Sequence, residues 1–242
     1  MRMPAPGFMR CGAMRRSRRW NGRTVSGVSM IPRDAPFLLP RNARPCSNPG
    51  ARSLPPSMKV GSRSRAIRDR PASRVLLNEL HPEDHGKLAA FVSGDKRVTI
   101  NEGDAAIAVK AHLPPPERRG FILIDPPYEL DDEPRRAVQM LRDGHRRFAT
   151  GAFALWYPVT GDGLARLVAK EAQALAMPKM LKAELLVREV IVDRGLAGSG
   201  LILVNPPWPL ADELNMLGPA LCKRLRQDDG ARWSLDWLSA PD

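Results

Sequence analysis

The chain has 242 residues, enough for one domain with a tail, and a formal net charge of +12 that invites a nucleic-acid reading. The charge is uneven: residues 1–74 hold 16 Arg and one Lys against only Asp34 and Asp69, a net +15, so the remainder carries −3. Cys11, Cys46 and Cys222 lie far apart with no C-x-x-C pair, which argues against a structural zinc site and a disulfide framework, and no apolar run approaches the ~18 residues of a membrane-spanning helix. With no apolar core of a secretory signal at its start, the chain is expected in a reducing cytoplasm, off the membrane and without a metal.

Residues 1–73 form the first segment. With residue 74 the stretch has no Glu and ten Pro, and it carries clusters such as Arg15-Arg16-Ser17-Arg18-Arg19. Prolines at 32, 36, 40, 45, 49, 55 and 56 interrupt any helix or central strand. Such a segment buries too little apolar surface to offset its ordering entropy and is expected to be disordered. Three origins are open: GC-rich DNA read out of frame, an Arg-rich RNA-binding tail, or an organelle transit peptide. The abrupt change of composition near Arg74 favours the first.

From residue 74 to 242 short apolar runs alternate with helical patterns. Strands are expected at Val75–Leu77 leading to Glu79, Val98–Ile100 leading toward Asp104, Phe121–Ile124 leading to Asp125, Phe153–Tyr157, Leu181–Val187 and Leu201–Val204, with a closing strand at Trp233–Trp237. Helices are expected over 83–93, with Leu88, Phe91 and Val92 on one face, and over 132–148, with Asp132 as cap, Pro134 in the first turn and Ala137, Met140, Leu141 and Phe148 as the stripe. Two more fall at 162–176, striped by Leu164, Leu167, Val168 and Leu175, and after Pro209, striped by Leu210, Leu214, Leu217 and Leu221. Alternation of this kind predicts an α/β domain with a mainly parallel sheet and helices on both faces; an antiparallel α+β domain is the alternative.

Glu79, Asp104 and Asp125 end three successive strands. Ligands of doubly wound sheets bind outside the carboxyl ends of the strands, where an acid commonly takes a ribose hydroxyl pair. Each acid alone has a plain reading as well: Asp104 as the cap of a helix over Ala105–Leu113, and Glu79 as the partner of a surface Arg.

Asp125-Pro126-Pro127-Tyr128 carries the chemistry. An exocyclic adenine amino group is a poor nucleophile because its lone pair is delocalised into the ring. A rigid loop that accepts hydrogen bonds from it, through the Asp125 carboxylate and the Pro126 carbonyl, drives the nitrogen toward sp³ character and aims its lone pair at a methyl donor. The prolines stiffen the loop without adding competing N–H groups. Tyr128 offers a face on which an extruded base can stack, and Asp125 can accept the amino proton. Asn205-Pro206-Pro207-Trp208 repeats the layout; it is read as a contact to base or cofactor or, failing that, as a wall of the same pocket.

Several motifs in order resemble one family. They are Leu77-Asn78-Glu79-Leu80-His81-Pro82, Lys110-Ala111-His112-Leu113-Pro114-Pro115, Arg118-Arg119-Gly120, and Ile122 to Glu129 around the prolyl loop. Arg147-Phe148-Ala149-Thr150-Gly151, Ala154-Leu155-Trp156-Tyr157-Pro158 and Asn205-Pro206-Pro207-Trp208 continue the series. Together they look like the bacterial 23S ribosomal RNA adenine-N6 methyltransferases of the RlmJ family. The resemblance implies a Rossmann-like fold using S-adenosyl-L-methionine, 23S ribosomal RNA as partner and a role in rRNA processing. By motif position Asp125 is the implied catalytic residue, and Glu79, Asp104, Ala105 and Asp125 are the implied cofactor contacts; Pro126 and Tyr128 face the base. A monomer is expected.

The chain departs from the family pattern at its start. A His-rich opening motif and an Asp-His-Ala-Gly-x-Gly cofactor loop after the first strand occur nowhere in residues 1–74, and a helical insertion is missing. The sheet is therefore expected to lack its first strand, and the chain to be weakly stable and inactive as written. A non-catalytic RNA-binding protein, using the Arg-rich segment, is the second functional class. Methylation of DNA or of a protein glutamine is a third, because the Pro-Pro-aromatic motif serves amide and amino groups alike. Arg118, Arg119, Arg135, Arg136, Arg146 and Arg147 are candidate phosphate contacts, against the ordinary reading of a solvated charged face.

Overall fold

The computed structural model describes residues 27–31 and 74–239. Eight strands form one sheet in the order β3-β2-β1-β4-β5-β7-β6-β8. They are β1 (Gly27–Ile31), β2 (Val75–Glu79), β3 (Val98–Glu102), β4 (Phe121–Asp125), β5 (Ala152–Val159), β6 (Met180–Leu186), β7 (Gly198–Val204) and β8 (Arg232–Ser239). The helices among the described residues are α1 (Pro82–Val92), α2 (Ala105–His112), α3 (Glu133–Arg147), α4 (Leu164–Ala174) and α5 (Leu210–Leu225). Every strand expected from residue 75 onward is present.

The sheet is mixed, which corrects the expectation of a mainly parallel one. Only β2–β3 and β4–β5 pair in parallel. The pairs β1–β2, β1–β4, β5–β7, β6–β7 and β6–β8 are antiparallel. Strands β2, β3, β4, β5 and β6 nevertheless share one direction, because the helical crossovers return the chain to the same end each time. β7 follows β6 with no helix between, so it must run back.

β1 fills the place where the sheet was expected to lack a strand. Gly27 to Ile31 pairs against Asp125 to Phe121 on β4, and Met30 against Leu76 on β2. The sequence reading gave residues 1–73 no ordered element, and these five residues depart from it; the rest of that segment lies outside the described residues. An unpaired row of backbone groups in mid-sheet is costly, and a strand of either direction satisfies it. β1 runs opposite to both neighbours.

Alternation along the strands divides the core into two layers. Ile122 and Ile124 of β4 face a cluster with Val109 of α2, Leu141 of α3 and Val168 of α4. Phe121 and Leu123 face the other side, where Ala154, Leu181 and Leu203 are covered by Leu210 and Leu214 of α5. The expected stripes hold on α3 and α4, hold only in the first half of α5, and fail on α1. Phe91 of α1 is 77% exposed and Leu217 of α5 is 55% exposed, with Leu221 exposed beside it. α1 buries none of its residues. Asp132 occupies the cap position of α3, but its side chain makes no capping hydrogen bond.

Among the described residues, no helix is long and apolar enough to cross a membrane, and no three His, Cys, Asp or Glu side chains gather as a metal site requires.

Candidate active site

The shared direction of β2, β3 and β4 places Glu79, Asp104 and Asp125 at one end of the sheet. Glu79 and Asp125 close their strands on either side of β1, and Gly27 is the register partner of Asp125. Two inter-strand spacings separate β2 from β4, roughly 10 Å. The three acids therefore form one rim, as their spacing suggested, although each is held differently.

Glu79 is fully buried. Its Oε1 accepts from the His81 backbone N–H at 2.9 Å, whereas Oε2 has no partner among the described residues. A buried oxygen without a donor is costly, and such an atom marks a place where a ligand hydroxyl fits. The plain expectation that Glu79 pairs with a surface Arg is overturned by that burial. Asn78, a residue the sequence reading passed over, secures the strand end. Its Nδ2 donates to the Gly103 carbonyl at 2.8 Å and its Oδ1 accepts from Asn101 Nδ2 at 2.6 Å. The Gly103 N–H in turn donates to the Glu79 carbonyl at 3.1 Å.

Asp104 caps α2. Its Oδ1 accepts from the N–H groups of Ala106 (2.7 Å) and Ile107 (3.3 Å), and its Oδ2 takes Nη2 of Arg136 on α3 at 3.2 Å. The plain reading of Asp104 is thus realised, with an ion pair between two helices added to it. Ala105 opens the helix and packs against the main core cluster.

Asp125 has its carboxyl pushed up from 3.8 to about 6 by burial. A low-dielectric surround disfavours the charged form, and the result is a group poised to take a proton near neutral pH. The loop behind it is pinned. Tyr128 adopts φ +55°, a left-handed conformation unusual for a bulky residue. Its hydroxyl donates to the Trp156 carbonyl at 2.6 Å, and its ring lies 6.2 Å from that of Trp156 at 55°. Burial, then the charges of Asp125 and Glu133, hold the phenol well above its ordinary pKa, so it stays protonated and keeps donating. Glu133, also missed in the sequence, accepts from the N–H groups of Glu129 and Leu130 and fastens the loop to α3. An acid in the first turn of a helix just beyond the loop was the available signal.

The second prolyl loop is elsewhere, and this corrects its reading as a wall of the pocket. Because β7 is antiparallel to β5, Val204 pairs with Phe153 at the start of β5, and Asn205 emerges at the end of the sheet opposite Asp125. Asn205 Nδ2 donates to the carbonyls of Ala149 (2.7 Å) and Gly151 (2.9 Å), staples to the turn before β5. Trp208 is 90% exposed.

The rim fits a nucleoside cofactor in part. The free Oε2 of Glu79 fits a ribose hydroxyl. Among the described residues nothing cradles the far end of such a cofactor: doubly wound sheets hold it in the loop after the first strand, at a helix N-terminus. Here β1 delivers its first residue, Gly27, to the rim, and its last residue, Ile31, pairs with Phe121 at the opposite end.

Comparison with known proteins follows the same lines. The family described as "Ribosomal RNA large subunit methyltransferase D, RlmJ" matches residues 54–239. Ribosomal RNA large subunit methyltransferase J of Haemophilus influenzae is 41% identical over 170 residues, and its namesake of Escherichia coli 36% over 169. Each match covers 70% of this chain and 60% of the relative, so the chain spans about 60% of the length of these curated relatives. The crystal structure of protein LPL1258 from Legionella pneumophila superposes with a TM-score of 0.62 at 28% identity, over 68% of this chain and 60% of that one. The architecture is that of a Rossmann-like methyltransferase in which a reversed strand holds the first-strand position. By the family match and by identity to these relatives, the chain belongs to the RlmJ family of ribosomal RNA large subunit methyltransferases.

Proposed function

We propose that this chain is built for N6-methylation of an adenine in 23S ribosomal RNA, with S-adenosyl-L-methionine as methyl donor. The observation that carries the reading is the Asp125 carboxyl, held at a strand end by a proline-stiffened loop and raised to about 6 by burial, on the same rim as the Glu79 oxygen that has no partner among the described residues. The family supplies the substrate class, and the names of the two curated relatives agree with it.

Asp125 accepts a hydrogen bond from the exocyclic amino group and takes its proton as the nitrogen becomes positively charged. The Pro126 carbonyl accepts the second amino hydrogen. The Tyr128 ring, fixed by its bond to Trp156, offers the stacking surface for an extruded base. Glu79 is assigned to the ribose of the cofactor, and Asp104 and Ala105 to the neighbouring wall. The cofactor, when bound, supplies an electrophilic methyl group. Positioning and the preorganised acceptors carry most of the rate. With β1 reversed, cofactor affinity is expected to be weaker than micromolar and turnover slow.

Calorimetric titration with S-adenosyl-L-methionine, paired with transfer of labelled methyl to unmodified 23S rRNA at millimolar cofactor, tests this reading. Label on adenine N6 that disappears in Asp125→Ala supports it. Transfer indifferent to Asp125, or label on another acceptor, refutes it. No transfer at all also refutes it.

A further inference from the structure

The end of the sheet opposite Asp125 collects cations from three separate stretches. Arg118 and Arg119 lie in the loop that enters β4. Arg146 and Arg147 close α3, and Lys110 lies near the end of α2. These places adjoin: the Ala152 N–H donates to the Gly120 carbonyl at 3.1 Å, which joins the starts of β4 and β5. Lys110, Arg146 and Arg147 line one groove of about 360 Å³ together with Asp143. Arg118, Arg119, Arg146 and Arg147 are exposed and have no carboxylate within ion-pair distance among the described residues, whereas Lys110 and Arg142 both reach Asp143. Arg135 and Arg136 contrast with these four, being spent on Glu171 and Asp104.

The ordinary explanation for cations at a helix C-terminus is complementarity with its dipole. It covers Arg146 and Arg147, but not Arg118 and Arg119, which stand in a loop. Nor does it account for the exposed aromatic at the same end of the sheet. Asn205 is bonded to Ala149 and Gly151, directly after Arg147, and Trp208 follows three residues later with its ring in solvent. Unpaired cations at the same end of a domain as an exposed aromatic are the elements that hold a single-stranded nucleic acid. At the opposite rim Glu129, Asp131, Asp132 and Glu133 crowd the loop behind Tyr128, so phosphates are better held at this end while the base enters there. Residues 75–242 as a whole carry −3, so the basic end is a separation of charge within the domain and not a reflection of its total.

We infer that this basic end is a second RNA-binding surface, on which Arg118, Arg119, Arg146 and Arg147 hold phosphates and Trp208 stacks on an unpaired base, roughly 13 Å along the strands from Asp125. It rests on the reading of the substrate as RNA and is independent of methyl transfer.

The test uses the full chain without cofactor and a labelled single-stranded RNA oligonucleotide, read by fluorescence anisotropy across a salt series. The cations of residues 1–73 contribute equally to parent and variants, so differences isolate the surface. Replacing the four arginines by Ala is expected to reduce the slope of log K against log salt by about 2–3, near 0.7 per phosphate contact. Trp208→Ala is expected to weaken binding at least about fivefold with the slope unchanged. Ultraviolet cross-linking of the unsubstituted chain, which needs no variant to fold, is expected to mark peptides containing Trp208 and residues 146–151. Equal slopes in a four-fold variant with parental melting temperature, or cross-links confined to residues 1–73 or to the Asp125 rim, would overturn the inference. A failure of methyl transfer moves none of these readouts.

Discussion

Asp125-Pro126-Pro127-Tyr128 and Asn205-Pro206-Pro207-Trp208 have the same layout behind similar apolar strands, and the fold puts them to opposite uses. The first ends a strand that runs with its neighbour β5, and it sits on the acidic rim with its carboxyl protonated more readily than usual. The second ends a strand that runs against β5 and surfaces at the basic end, its amide spent on two backbone carbonyls. Their aromatic residues are reversed as well. Tyr128 is bonded by its hydroxyl into the core edge, and Trp208 stands in solvent. A motif therefore specifies what a loop can do chemically, while strand direction specifies where it does it.

The largest effect that separates the loops is on transfer. Asp125→Asn is expected to lower methyl transfer by at least about 10²-fold, the contribution of a positioned base. Asn205→Ala leaves that chemistry alone and is expected to cost about 2–4 kcal/mol of stability: two carbonyls lose their donor, and Ala takes on a left-handed φ of +50° that Asn tolerates. Urea unfolding measures this, and a loss below about 0.5 kcal/mol would return Asn205 to the list of ligand contacts.

Tyr128→Phe is a smaller change. It removes one hydrogen bond to the Trp156 carbonyl and is expected to cost about 1 kcal/mol, with a rise in the KM for RNA as the ring loosens. An unchanged KM would place the stacking surface elsewhere.

A pH dependence separates the loops as well. The folded state holds the Asp125 carboxyl at about 6 against 3.8 unfolded, so ionisation is disfavoured by folding. Below the unfolded value both states are protonated and nothing is lost. Stability contributed by this site falls as pH rises from about 4 to about 6 and stays low above that. Melting curves should therefore show Asp125→Asn gaining on the parent at pH 7.5, with the gain shrinking toward pH 4. A gain independent of pH would mean that the carboxyl is not desolvated.

Much of the domain was legible because its signals are local. Four-residue apolar runs such as Phe121–Ile124 become strands through burial on both faces, and the stripe of Ala137, Leu141 and Phe148 becomes the inner side of α3 because those positions meet the sheet. Asp104 as a cap was legible for the same reason, since a cap bonds within its own helix turn. The exposed Phe91 and Leu217 were not, since an apolar stripe says that a helix can be covered and not that a partner covers it. Asn78 and Glu133 escaped notice because their partners lie in other segments or are backbone N–H groups without a sequence signature.

By itself the sequence determined the strands and helices from residue 75, the chemistry available to the Asp-Pro-Pro-Tyr loop and the family, all of which depend on residue type and short spacing. The tertiary structure alone decided direction. Hydrogen-bond ladders close equally well with a strand running either way, so composition and periodicity carry no arrow. For β7 that arrow separated the two prolyl loops, and for β1 it placed Gly27 beside Asp125.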